Sequence, residues 1–214
     1  MIFVFRILEP VYLTTRKVGW LKELRAARKA KDSKLFTRLQ SRYGADKIKD
    51  ALNNMFSGKC AYCEAVIGTV ASPNIEHFRP KQRYVSLTYD WNNFVLSCPL
   101  CNNKTHKGTK FPKTDDGDPI VDPSADDPKD HFDFIYDAAT KLAIIKPLSK
   151  RGEITADLFK LNSRSPLLGV RSNAIRTLLA VKHLDNIDPE VTAVLAEARL
   201  PTSPFLAWVQ KYNI

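Results

Sequence analysis

Four cysteines form two C-x-x-C pairs, Cys60-Ala61-Tyr62-Cys63 and Cys98-Pro99-Leu100-Cys101, with thirty-four residues between Cys63 and Cys98 and no cysteine elsewhere. Two such hooks joined by a loop suit one tetrahedral Zn²⁺ held by thiolates. Within the loop lies Ile75-Glu76-His77-Phe78-Arg79-Pro80-Lys81. Asn93 stands five residues before the second hook, and Asn102-Asn103-Lys104 follows it directly. An imidazole with a pKa near ~6.5 takes a proton at neutral pH, so His77 is a candidate general base. Glu76 and an asparagine offer oxygen donors only, which suit Mg²⁺ or Mn²⁺ rather than a second zinc. A base beside a hard divalent ion is what phosphodiester hydrolysis requires: water must lose a proton, and charge on the phosphoryl and leaving oxygens must be offset. Arg79, Lys81 and Lys104 are candidate phosphate contacts.

The ordered set Glu76, His77, Asn93, Asn102 resembles the HNH (ββα-metal) endonucleases, in an H-N-N variant, and the cysteines match the zinc-bearing branch of that family. More closely, C-x-Y-C-E, E-H-F-R-P-K, W-x-N-F-x-L-x-C-x-x-C-N and a later F-P resemble the HNH subunit of Septu-type anti-phage systems and their retron-linked relatives. The match is strong over residues 56–112 and extends to about residue 170 through Ile-Val-Asp-Pro, His-Phe-Asp-Phe and Phe-x-Leu-Asn. The resemblance implies that Glu76 and Asn102 hold the catalytic ion. It implies that His77 is the base, and that Asn93 fixes both the loop and the histidine's tautomer. It also implies an ABC-type ATPase partner. Many members carry Asp where this chain has Glu76, while the defence relatives commonly have Glu. Asn103 competes for the metal role, and the spacing from Asn93 favours Asn102. His106 is a further candidate for metal or phosphate, although a solvated polar residue is the favoured reading. His131 and His183 are read as structural.

The elements that must position these residues follow from periodicity. Residues 17–56 read as helices, broken at Gly44, with 45–55 a separate helix ended by Gly58. Residues 75–77 form a short strand stopped by Pro80, and a second strand lies around 94–97. The second hook opens a helix over 99–107, with Pro at its first turn. Residues 112–130 form a loop. Residues 132–136 and 142–146 make a hairpin through 137–141. Helices follow over 153–162 and 166–200. Residues 1–8 read as a short strand. Tyr62, Trp91 and Phe94 are expected to pack around the zinc module rather than stack on bases. The fold class is α+β: a central zinc-bound ββα-metal module flanked by N- and C-terminal helices with a small hairpin. Three regions result, a basic helical 1–56, the module 57–112, and an acidic loop, hairpin and helices over 113–214.

A chain of 214 residues with 44% hydrophobic content can bury a sizeable core. No apolar run spans a membrane, and the start lacks a signal peptide's basic region and cleavage site. A cytoplasmic setting keeps thiols reduced and favours zinc over disulfides. No glycine-rich nucleotide cradle is visible, so ATP dependence would come from a partner. The formal charge is +10. Residues 16–49 hold twelve Lys/Arg against three acids, residues 73–113 seven against two, and residues 115–137 invert this with nine Asp and one Lys. A basic lobe beside a basic active segment suits a polyanion. The aspartates are read as a solvated loop. The function expected is a metal-dependent endonuclease acting on nucleic acid, DNA favoured and RNA possible, in anti-phage defence. The alternative is a non-catalytic zinc module that binds nucleic acid or an ATPase.

Overall fold

A computed structural model describes residues 1–68, 71–112, 119–184 and 188–214. The N-terminal region is helical, with α1 Val11–Thr14, α2 Lys17–Lys29, α3 Ser33–Gln40 and α4 Asp46–Met55. Each of the longer helices turns its sparse apolar residues inward. Leu24 and Ala27 are buried on α2, Leu39 on α3, and Ile48, Leu52 and Met55 on α4, while the charged positions stay out. Asp32 caps α3 by accepting from Leu35 N–H at 2.9 Å. A single 3₁₀ turn, Ser41–Gly44, separates α3 from α4 and carries Tyr43 toward the centre of the molecule.

Strands β1 (Asn74–His77) and β2 (Phe94–Ser97) pair antiparallel, with Glu76 opposite Val95 and His77 opposite Phe94. A second antiparallel pair, β3 (Phe132–Asp137) and β4 (Leu142–Pro147), is a hairpin whose turn is tied by Asp137, which accepts from Ala139 and Thr140. Helices α5 (Lys150–Leu158), α6 (Ser165–Lys182), α7 (Pro189–Ala198) and α8 (Leu206–Lys211) complete the chain. Ser149 caps α5, starting it three residues earlier than its periodicity suggests. A Cβ on Gly152 would come within 2.2 Å of the His131 carbonyl, so glycine is what lets α5 seat against the start of β3. Among the described residues no helix is long and apolar enough to cross a membrane.

One hydrophobic cluster runs from Leu13 and Leu24 through Leu52, Tyr62 and Phe94 to Phe159 and Trp208, joining the cysteine-bearing segment to helices on both sides. The aromatic expectation holds. Tyr62 stacks on Phe159 at 3.9 Å with planes 20° apart, and Trp91 and Phe94 are buried. The α+β class stands, with mixed helices and two small antiparallel sheets.

Three local expectations fail. Residues 1–8 form no strand. Val4 N–H on the Pro123 carbonyl is the backbone bond that ties them among the described residues. Arg6 anchors the segment by its side chain, donating to the carbonyls of Trp91, Asn92 and Phe94 and to Ser124 Oγ. Residues 99–107 are a succession of turns instead of a helix. Asn102 N–H makes one i to i−4 bond, to the Cys98 carbonyl, but Asn103 Oδ1 captures the His106 N–H at 2.9 Å and Lys107 N–H reaches back to the Cys101 carbonyl, so the ladder does not continue. The acidic stretch is also not simply solvated. Asp122 is buried, and Asp126 pairs with Arg151 at 2.5 Å. Residues 115–118 of that stretch and 185–187 of the expected helix 166–200 lie outside the described residues.

Candidate active site and metal centre

The two cysteine hooks meet because the first is pinned to the second strand. Ala61 N–H donates to the Leu96 carbonyl at 2.8 Å, one residue before the strand ends and the second hook begins. Gly58 at φ +70° and Glu64 at φ +63° supply the left-handed bends that fold the first hook back on itself. The four thiol sulfurs of Cys60, Cys63, Cys98 and Cys101 all lie within 4.8 Å of one another, and Cys63 and Cys98 are 3.9 Å apart. Tetrahedral zinc with bonds of ~2.3 Å separates its sulfurs by roughly 3.8 Å. The set is therefore placed to hold a metal ion, and its geometry and donor chemistry fit zinc. Burial raises the Cys60 thiol, yet donation from Cys101, Cys63 and Cys98 leaves it well below the ordinary value. Arg164 directs two N–H groups at Cys101 Sγ, each at 3.6 Å, an outer support for a thiolate.

On the other side of β1, Glu76, His77 and Asn102 line one cleft of about 250 Å³, together with Tyr43, Lys81 and Gly108. The strand delivers Glu76 and His77 side by side at its end, and the second hook's turn brings Asn102 back to them. Asn103 does not line this cleft. Its Oδ1 is occupied by His106 Nδ1 at 2.9 Å and by Thr105 Oγ1 at 2.6 Å.

His77 is buried, with Nε2 donating to the Thr88 carbonyl at 3.0 Å. A carbonyl only accepts, so the proton sits on Nε2 and Nδ1 is left as the ring's acceptor. Edge-on rings of Tyr43 at 4.5 Å and Phe94 at 5.1 Å hold the imidazole plane. Burial depresses its pKa to about 3, and the nearby Lys81 and Lys107 charges push the same way. The ring is neutral throughout the physiological range.

The Asn93 side chain faces the loop that follows β1. Its Oδ1 accepts Arg79 N–H at 2.7 Å, and its amide donates to the carbonyls of Arg79 and Leu87 at 2.9 and 3.3 Å, lacing the loop after β1. The histidine's tautomer, however, is set by Thr88, because Asn93 faces the loop and its hydrogen bonds are spent there. The two roles are linked through the backbone between Leu87 and Thr88 and through Phe78 N–H, which donates to the Asn93 carbonyl at 2.9 Å.

Lys81 donates to Tyr43 Oη at 3.0 Å and lies 4.2 Å from that ring's centre. Arg79 is half-buried, and Lys104 is exposed on the turn beyond the second hook, outside the cleft. His106 is buried rather than solvated. It is folded under Asn103 and Thr105, and its Nε2 has no hydrogen-bond partner among the described residues.

Sequence reasoning missed Tyr43, Thr88 and Lys107. Lys107 is fully buried, its ammonium on Glu76 Oε1 and on the His77 carbonyl at 2.7 Å. Burial pushes the Glu76 carboxyl up and the Lys107 ammonium down, and each charge draws the other back toward the ionised form. Nothing in the sequence distinguishes this lysine from its exposed neighbours Lys104 and Lys110.

The comparisons with known proteins follow the same outline. The family model for HNH endonuclease matches residues 60–108, from the first cysteine to the glycine beyond Lys107. Septu protein PtuB of Bacillus mycoides (strain KBAB4) is 32% identical over 193 residues, covering 77% of this chain and 64% of the relative. Septu protein PtuB of Bacillus thuringiensis is 32% identical over 148 residues, covering 68% of this chain and 51% of the relative. The chain thus spans about half to two thirds of the length of the curated relatives it matches. No solved structure matches it. With four thiols gathered for a metal and a ββ pair ending in Glu76-His77, residues 60–108 match the HNH endonuclease family model, and the chain is similar to Septu protein PtuB.

Proposed function

We propose that this protein is a metal-dependent endonuclease that hydrolyses phosphodiester bonds in nucleic acid, DNA favoured, as the effector of an anti-phage defence system. The observation that carries the reading is the convergence of Glu76, His77 and Asn102 on one cleft. His77, neutral and with Nε2 tied to Thr88, takes the proton of an attacking water on Nδ1. Glu76 Oε2 and the Asn102 side-chain oxygen are the donors for Mg²⁺ or Mn²⁺. When bound, such an ion supplies charge stabilisation at the phosphoryl and leaving oxygens. Lys81, held at the mouth by Tyr43, and Arg79 meet the flanking phosphate oxygens. Asn93 keeps the loop bearing Arg79 in place. The four cysteines hold a structural Zn²⁺ that joins both halves of the site. The similarity to PtuB supports a role beside an ABC-type ATPase.

A cleavage assay on plasmid, single-stranded DNA and RNA, with Mg²⁺ or Mn²⁺ against EDTA and with and without the ATPase, tests this reading. Asn102→Ala should lower cleavage at least about tenfold, with partial rescue by excess Mn²⁺, while Asn103→Ala leaves the metal requirement unchanged. The reverse pattern would assign the metal role to Asn103.

The exposed face of α2 supports the same proposal from outside the cleft. Arg25, Arg28 and Lys29 are exposed there, in the region that places Tyr43 in the cleft wall. Reversing these three to Glu should weaken binding of all sequences alike. It should also flatten the log–log salt dependence, to which each neutralised phosphate contributes about −0.9 on duplex DNA. Unchanged nucleic-acid binding with loss of the ATPase would assign the face to docking instead.

A further inference from the structure

Behind the wall of the cleft that would receive a divalent ion, a buried cation already sits on Glu76. Lys107 Nζ sits on Glu76 Oε1 and on the main-chain carbonyl of His77, and the lysine side chain is 0% exposed. A surface lysine would swing out into water to relieve this. Lys107 cannot, because its backbone is held by the turn that follows the second hook, where its N–H donates to the Cys101 carbonyl and its own carbonyl accepts from Lys110. Gly108, at φ +45° and with a Cβ position only 3.2 Å from the Asn103 carbonyl, closes that turn without a side chain in the way. The ammonium is therefore fixed by the same peptide that carries Cys101 and Asn102.

We infer that Lys107 is the resident counter-cation of Glu76, and that a divalent ion binds at Glu76 and Asn102 only against the repulsion and competition of this ammonium. The inference rests on the proposed metal role of Glu76 and Asn102 and makes Lys107 a positioning residue that sets how strongly the site takes its ion. Two physical terms act in the same direction. Nζ occupies one carboxylate oxygen, so an incoming ion finds only Oε2 free or must displace the amine. A single positive charge a few ångströms from a divalent ion also opposes it, and does so more strongly in a buried site than in water. The same burial means that, without Lys107, Glu76 loses its direct ion-pair partner, keeps only the Lys81 charge across the cleft, and has more to gain from a metal.

The test is a Mn²⁺ titration of the full-length, zinc-loaded protein, followed by the loss of the free-ion electron paramagnetic resonance signal. Thermal unfolding is recorded with and without Mn²⁺. Lys107→Met keeps the length and removes the charge. It should bind Mn²⁺ at least about tenfold more tightly than wild type and gain more in melting temperature from the ion. Lys107→Gln, which can still donate to the His77 carbonyl, should shift the same way and serves if Lys107→Met is insoluble. Lys107→Arg, which keeps the charge, should bind as weakly as wild type. Adding Glu76→Gln to the Lys107→Met protein should remove the gain. A purely packing role predicts lower melting temperatures with equal or weaker Mn²⁺ affinity, and that result overturns the inference while leaving the metal role of Glu76 intact. Binding that is absent in wild type and in all Lys107 variants overturns both.

Discussion

His77→Ala should abolish cleavage while the zinc content, fold and nucleic-acid binding of the protein stay close to wild type. A general base typically contributes roughly 10²–10⁴-fold in rate, and no second imidazole lines the cleft among the described residues. His106 is held under Asn103 and cannot substitute. The fold should survive because the imidazole makes a single hydrogen bond, to Thr88, and is otherwise packed between Tyr43 and Phe94. Losing that ring leaves one unpaired carbonyl and a small void, together costing about 2–4 kcal/mol. Burial holds the His77 pKa at about 3. The basic form is therefore present from acid to alkaline pH, and its protonation does not limit the rate near pH 6, where an exposed histidine's would. Measured cleavage by His77→Ala within a few-fold of wild type would remove the histidine from the mechanism.

Removal of one of the four cysteines proposed to hold zinc should have the largest effect on stability. Cys98→Ser should lose the metal, and its melting temperature should fall by more than about 10 °C, since a domain of this size loses roughly 2–4 °C per kcal/mol. Structural zinc contributes an apparent ~10–16 kcal/mol in small zinc modules, comparable to the whole stability of a typical domain. Here a bound ion would also tie two segments that the sequence separates. Cys60, Cys63 and Cys101 are buried in the same hydrophobic cluster as Phe94 and Phe159, so the unbound thiols would leave repelling or protonated sulfurs inside the core. A strong chelator on the wild-type protein should reproduce the loss. Elemental analysis showing no zinc in a well-folded protein would refute the assignment.

The spacing of the four cysteines determined that two hooks would meet. Four sulfurs within 4.8 Å are the outcome that chemistry and spacing required. Strand β2 and the β3–β4 hairpin were also legible, since each is a short apolar run bounded by turn residues. The helices of the basic region were legible for the same reason, because a few apolar residues at helical spacing leave one face to bury. Elements without such a pattern were not. Helix α8 is six residues long and buried nearly all round, too short and too uniform for periodicity to mark. Residues 99–107 begin with Pro, which suits a helix's first turn, but Asn103 offers its own side chain to the backbone and wins locally.

The site shows the same division more sharply. Residue types put Glu76 beside His77 at a strand end, and the HNH resemblance singled out Asn93 and the Asn102-Asn103 pair. Only the tertiary structure decided which asparagine lines the cleft, that the Thr88 carbonyl sets the histidine's tautomer, and that Tyr43 crosses from the basic helices to form one wall. It alone decided that Lys107, one basic residue among thirty-three Lys and Arg, is the one buried on Glu76. Spacing encodes the contacts a residue makes with its own strand or turn. A carbonyl eleven residues away or an ammonium thirty-one residues away is brought in by packing, and packing leaves no periodic trace in the chain.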